Sequence, residues 1–154
     1  MAQLDSQSVY KKFLDCVQAQ IEDLLQDLQI GMIVTQTQNM TEDGIPQEGI
    51  RLVWDKEKEG EGTTGQDDYG YPVVVRIITG EDKSWEITDA PTLLRQKIKR
   101  TFHNKRVRGF LDDNACNIVC KVSYGDVSVD EKFAENWSEG QMVITGWFRE
   151  NRNV

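Results

Sequence analysis

The residue types that carry catalysis and metal binding are present in this chain, but not in the spacings such chemistry needs. His103 is its only histidine. A zinc site would therefore have to draw on Cys16, Cys116 and Cys120, which lack the close Cys-x2-Cys pairs of tetrahedral zinc sites. No serine stands in a nucleophile-elbow pattern, so a dyad of His103 with Ser or Cys would have to be assembled wholly by the fold. Gly60-Glu-Gly-Thr-Thr-Gly fits the Gly-x-Gly-x-x-Gly pattern of dinucleotide-binding turns. Strand-like sequence follows it where a helix N-terminus should be, and Glu57, Glu59, Glu61, Asp67 and Asp68 would repel a phosphate. Asp55, Glu57, Glu59 and Glu61 offer oxygen donors to a hard cation, without the alternating donors and terminal bidentate Glu of a calcium loop. These patterns assign no catalytic residue, no cofactor and no metal.

One stretch has a functional reading that competes with plain solvation. From Arg95 to Arg108 there are seven Lys or Arg residues and no acid, in a chain whose formal net charge is -8, so the rest carries about -15. Arg95, Lys99 and Arg106 fall near one helical face, Lys97, Arg100 and Lys105 broaden it, and Arg108 closes the segment as a further contact candidate. Leu94, Ile98 and Phe102 remain to pack inward. Such a face balances an acidic body, pairs with an acidic neighbour, or follows a phosphate backbone. No exposed aromatics are interleaved, so any DNA contact would be nonspecific and salt-sensitive. Trp85 and Trp137 stand in polar segments and are candidate interface anchors. His103 follows the same stretch and is expected at a helix end, where its charge would suit the C-terminal dipole.

The positioning elements follow from periodicity. A single domain is expected over all 154 residues, since this length supports one core and not comfortably two. Within 1–30, Val9, Phe13, Cys16, Val17, Ile21, Leu24, Leu25 and Leu28 recur at three-and-four spacing and predict a long N-terminal helix. Asp5, Ser6 and Ser8 are N-cap candidates and Gly31 a candidate stop. Strands are expected at Met32–Thr37, Ile50–Trp54, Tyr71–Thr79, Ala115–Tyr124 and Gln141–Glu150. In the fourth, Cys116, Ile118, Cys120, Val122 and Tyr124 alternate with Asn117, Val119, Lys121 and Ser123. Residues 55–68 hold six acids, two lysines and three glycines and are expected to form a flexible loop. Asp89-Ala-Pro reads as an N-cap with proline in the first turn of a second, basic helix. The fold class expected is α+β: an antiparallel or mixed sheet with both helices packed on one face.

No apolar run approaches the roughly 20 residues of a membrane span, and the N-terminus lacks the organisation of a secretory signal, which points to a cytoplasm. An odd number of cysteines does not suit a disulfide framework. On one strand Cys116 and Cys120 would stand about 13 Å apart, beyond disulfide reach.

The order of elements resembles the tail terminator and related head-tail completion proteins of long-tailed bacteriophages. The likeness rests on the amphipathic N-terminal helix, the Tyr71-Pro-Val-Val-Val-Arg-Ile-Ile strand, the Asp89-Ala-Pro helix and the closing Gln141-Met-Val-Ile-Thr-Gly-Trp-Phe-Arg-Glu strand. The resemblance implies an α+β subunit of a homo-oligomeric ring, usually a hexamer, that caps the tail tube and gives the head a docking surface. It implies no catalysis and no cofactor. Its partners would be copies of itself, tail tube and head connector proteins, in a virion assembled in the host cytoplasm, with the basic helix against a neighbour or beside DNA. The alternative is a small nucleic-acid-binding module that uses residues 95–108. An enzyme built from scattered carboxylates and His103 would be a third.

Overall fold

In the computed structural model, which describes residues 8–37, 49–60, 65–79, 90–129 and 138–151, the apolar stripe of the first helix is the surface against which the sheet is built. Helix α1 spans Val9–Asp27, and Ser8 caps it, its Oγ accepting the Lys11 N–H at 3.2 Å. Asp5 and Ser6 lie outside the described residues. The helix stops before Gly31: Gln29 takes the left-handed conformation (φ 57°), and the Ile30 N–H reaches back to the Leu25 carbonyl at 2.9 Å.

Six strands follow: β1 Val34–Thr37, β2 Gly49–Trp54, β3 Lys58–Glu59, β4 Gln66–Thr79, β5 Ala115–Val129 and β6 Ser138–Asn151. Helix α2, Ala90–Phe102, lies between β4 and β5 in sequence. The sheet order is β1-β2-β4-β6-β5, with β3 paired to β4. The β1–β2 pair is parallel and the others are antiparallel, so the fold is α+β with a mixed sheet. Val73, Val75 and Ile77 of β4 line up with Ile144, Met142 and Gly140 of β6, and Phe148 continues the same face. Phe13, Leu14, Val17 and Ile21 of α1 share one buried cluster with these residues and with Leu94, Ile98 and Phe102 of α2, which puts both helices on one face of the sheet. Gly146 lets α1 approach: a Cβ there would stand 2.5 Å from Phe13 Cζ.

Three local expectations change. The acidic stretch 55–68 is strand in part where it is described, at Lys58–Glu59 and from Gln66 on, while 61–64 lie outside the described residues. Lys58 and Glu59 pair with Gly70 and Tyr69, and Gln66 to Asp68 pair with Asn151 to Arg149. Low apolar content prevents a segment from folding alone, but a sheet end supplies backbone partners while the charged side chains stay in water. The basic segment is helical only to Phe102; Asn104 turns left-handed (φ 60°), and its N–H bonds the Cys120 carbonyl at 2.8 Å. The Asp89 cap lies outside the described residues. Finally, the β5 alternation breaks at a register shift between Asn117 and Val119, so that Asn117 is buried and Cys116 exposed. The buried amide is satisfied: its Oδ1 accepts the Val107 N–H at 2.6 Å and its Nδ2 donates to the Trp147 carbonyl at 3.1 Å.

Candidate functional site

The basic segment separates into residues tied inward and residues left outward. Arg95 is buried, its guanidinium 4.5 Å from the Tyr124 ring centroid, and Lys99 Nζ stands 4.9 Å from the same ring. Past the helix end, the turn Asn104–Lys105 lies along β5: the Cys120 N–H bonds the Lys105 carbonyl at 2.7 Å, and the Val122 N–H bonds His103 Nδ1 at 2.9 Å. His103 is therefore an acceptor that ties the helix end to the strand, with its ring proton on Nε2. Lys105 Nζ reaches the Arg100 carbonyl at 2.7 Å, and Lys121 Nζ donates to Asn104 Oδ1. These contacts bring Arg100, Lys105 and Lys121 together, with Arg106 adjacent in the chain. All four are exposed, while Lys97 is half-buried. Arg108 instead pairs with Asp23 of α1 at 2.5 Å, and its N–H bonds Gln20 Oε1 at 2.6 Å. Trp85 and Trp137 lie outside the described residues.

Sequence spacing missed a second surface, at the end of the sheet where β2 and β6 finish and β4 and β5 begin. Tyr10 stacks between Trp54 (5.1 Å) and Tyr71 (4.5 Å). Its hydroxyl donates to the Pro72 carbonyl and accepts the Asp55 N–H at 2.9 Å. Tyr69, Tyr71, Phe148 and Phe110 continue the aromatic cluster. Burial pushes the Tyr71 phenol up to about 12, helped by the charges of Glu57, Glu150 and Asp112. Burial also raises Tyr69 well above its ordinary value, with Tyr71, Glu150, Asp112 and Glu57 adding to it. The carboxylates whose charges act on these phenols come from three distant parts of the chain. Exposed Asp55, Glu57, Glu59, Asp67, Asp113 and Glu150 give this end an acidic rim, against Lys56 and Lys58. Asp67 and Glu150 stand directly opposite each other on β4 and β6.

From that end projects Leu111, 88% exposed. Its loop is pinned on both sides. Before it, Phe110 packs 4.9 Å from the Phe148 ring. After it, Asp112 accepts the N–H groups of Asn114 (2.8 Å) and Ala115 (3.1 Å) and pairs with Lys12 of α1 at 3.1 Å. Burial alone would push the Asp112 carboxyl up, but the Asn114 N–H, Lys12 and the Ala115 N–H outweigh it and hold the group below the usual carboxylate range. The signal in the sequence is Phe110-Leu111 followed by Asp112-Asp113-Asn114, an apolar pair at the start of an Asx-type turn.

A cleft of about 360 Å³ opens between α1 and the Arg108 turn, lined among others by Gln20, Asp23, Asp27, Thr101 and Arg108. It is polar and holds no nucleophile paired with a base. Among the described residues no three His, Cys, Asp or Glu side chains lie together where they could hold a metal. The three cysteines are free. Among those residues, too, no helix is long and apolar enough to cross a membrane.

No family model matches the sequence, and comparison with curated proteins gives no significant match.

Proposed function

We propose that this chain is a structural, non-enzymatic subunit of a viral tail, a ring-forming protein of the tail-terminator kind that caps the tail tube and joins it to the head. The observation that carries this reading is Leu111. A large apolar side chain stays 88% exposed on a loop whose backbone is held on both sides, so covering it costs little further backbone order. That is how an interface anchor is prepared. A substrate pocket would be concave and apolar, whereas the cleft beside Arg108 is open and polar. The layout of elements and its resemblance to tail terminators supply the kind of assembly: copies of the same chain in a ring, normally a hexamer, between tube and connector.

The nucleic-acid reading of residues 95–108 has less support. Arg95 is buried, Lys99 lies against Tyr124, Lys105 caps the helix end and Arg108 is paired with Asp23, so the segment does not present one continuous cationic face.

The test is molar mass by light scattering, with negative-stain images of the same peak, for the wild type and Leu111→Asp. A ring in the wild type, and a smaller species with an unchanged urea midpoint in the variant, is the expected result. A wild type that stays monomeric at every concentration overturns the reading.

A further inference from the structure

The two surfaces described above are complementary. One end of the sheet presents Leu111 and the aromatic cluster inside a rim of Asp55, Glu57, Glu59, Asp67, Asp113 and Glu150. The strip beside the α2 end presents Arg100, Lys105, Arg106 and Lys121, joined by the Lys105–Arg100 and Lys121–Asn104 contacts. No acid occurs between Ala90 and Leu111. The two surfaces belong to different parts of the fold. The acidic rim sits at the ends of β2 and β6, whereas the cationic strip runs beside the middle of β5, at Cys120 to Val122.

We infer that the acidic end of one copy docks on the cationic strip of a second copy, with Leu111 as the apolar anchor of the contact. This rests on the self-assembly reading above and names the surfaces that carry it. Because the two surfaces differ, the contact is heterologous: each copy uses its acidic end on one neighbour and its strip on the other, and a rotation that closes makes a ring. The charges fix orientation, since end against end would oppose acids to acids and strip against strip cations to cations. A twofold contact of either surface with itself is disfavoured for the same reason. The charge imbalance of the chain, a basic segment on an acidic body, then serves assembly.

Two charge-reversed chains test the pairing. Arg100→Glu with Arg106→Glu cancels the charge of the strip against Lys105 and Lys121, and Glu57→Lys with Glu150→Lys cancels the net charge of the acidic rim. All four side chains are exposed, and circular dichroism and urea midpoints check that each variant folds. Molar mass is measured for the wild type, each variant and their equimolar mixture. The expected result is an assembled wild type, each variant alone reduced to single chains, and a species of two chains on mixing, because the unaltered acidic end of the first variant then meets the unaltered strip of the second. Variants that assemble like the wild type overturn the pairing and leave the ring reading standing. A monomeric wild type overturns both. Should a variant fail to fold, salt decides with the native chain. Screening shortens from about 10 Å at 0.1 M to about 3 Å at 1 M. Assembly that weakens over that range supports the pairing, and assembly indifferent to it overturns the pairing.

Discussion

Replacing Gly146 by alanine places a methyl group where α1 meets the sheet. The added Cβ would lie 2.5, 2.6 and 2.9 Å from Cζ, Cε1 and Cε2 of Phe13. Carbon atoms in contact prefer about 3.5–4.0 Å, so the ring must withdraw by roughly 1 Å. Phe13 is fully buried and stands edge-on to Phe148, with ring centroids 5.3 Å apart. Overpacking of this kind costs about 1–3 kcal/mol. Against it, alanine restricts the unfolded chain and returns about 0.4–1 kcal/mol. Because the whole ring has to move, the upper part of the range applies, for a net loss of about 1.5–2.5 kcal/mol. For a chain of this size that lowers Tm by roughly 3–10 °C. The assay is urea unfolding followed by tryptophan fluorescence, on Gly146→Ala, Phe13→Ala and the double variant. Phe13→Ala alone should cost about 3–5 kcal/mol and leave room for the new methyl. The double variant should therefore be more stable than the summed losses predict, by about 1 kcal/mol or more. A Gly146→Ala chain as stable as the wild type, or losses that add, would refute the placement of α1 against this strand.

Asp112 and Asp68 are both held below the ordinary carboxylate range, Asp68 chiefly by its hydrogen bonds from Arg149 at 2.8 and 3.0 Å. Their stabilisation is complete above the unfolded value near 4 and is lost as pH falls through the lower folded values, so the urea midpoint should be flat down to about pH 5 and drop below about pH 4. Asp112→Asn should flatten that acid limb, and an unchanged limb in this variant and in Asp68→Asn would count against both assignments. Burial pushes the Cys120 thiol up to about 12 and also raises Cys16, whereas Cys116 is exposed. A maleimide at neutral pH should give a first adduct at Cys116 and reach Cys120 only on unfolding; a Cys116 as slow to label as Cys120 would contradict the bulge. His103→Ala removes the acceptor of the Val122 N–H and should cost about 1–3 kcal/mol, read as a lower urea midpoint, with no loss if water replaces the imidazole.

Both helices and most strands are legible in the sequence, because their signals are local. A helix repeats its buried face every three or four residues and a strand every two, so Phe13, Val17 and Ile21, or Val73, Val75 and Ile77, declare their shared side without reference to anything distant. The sign of the basic segment and the lack of a zinc or nucleophile-elbow spacing were equally plain. Tertiary structure decided the rest. The bulge at Asn117–Val119 depends on where β5 meets β6, and no alternation within β5 foretells it. The basic segment splits because Arg95 is buried in the helix and Asn104 leaves the helix to bond Cys120, after which Arg108 pairs with Asp23 at the surface while Arg100 and Arg106 stay exposed. The acidic end gathers residues 55–59, 67, 113 and 150 through the pairing of β3 and β6 with β4, and that same closure leaves Leu111 exposed beside them. Periodicity reports which side of an element faces inward. Which distant elements share an end of the sheet depends on register and loop closure, and those are settled only when the whole chain packs.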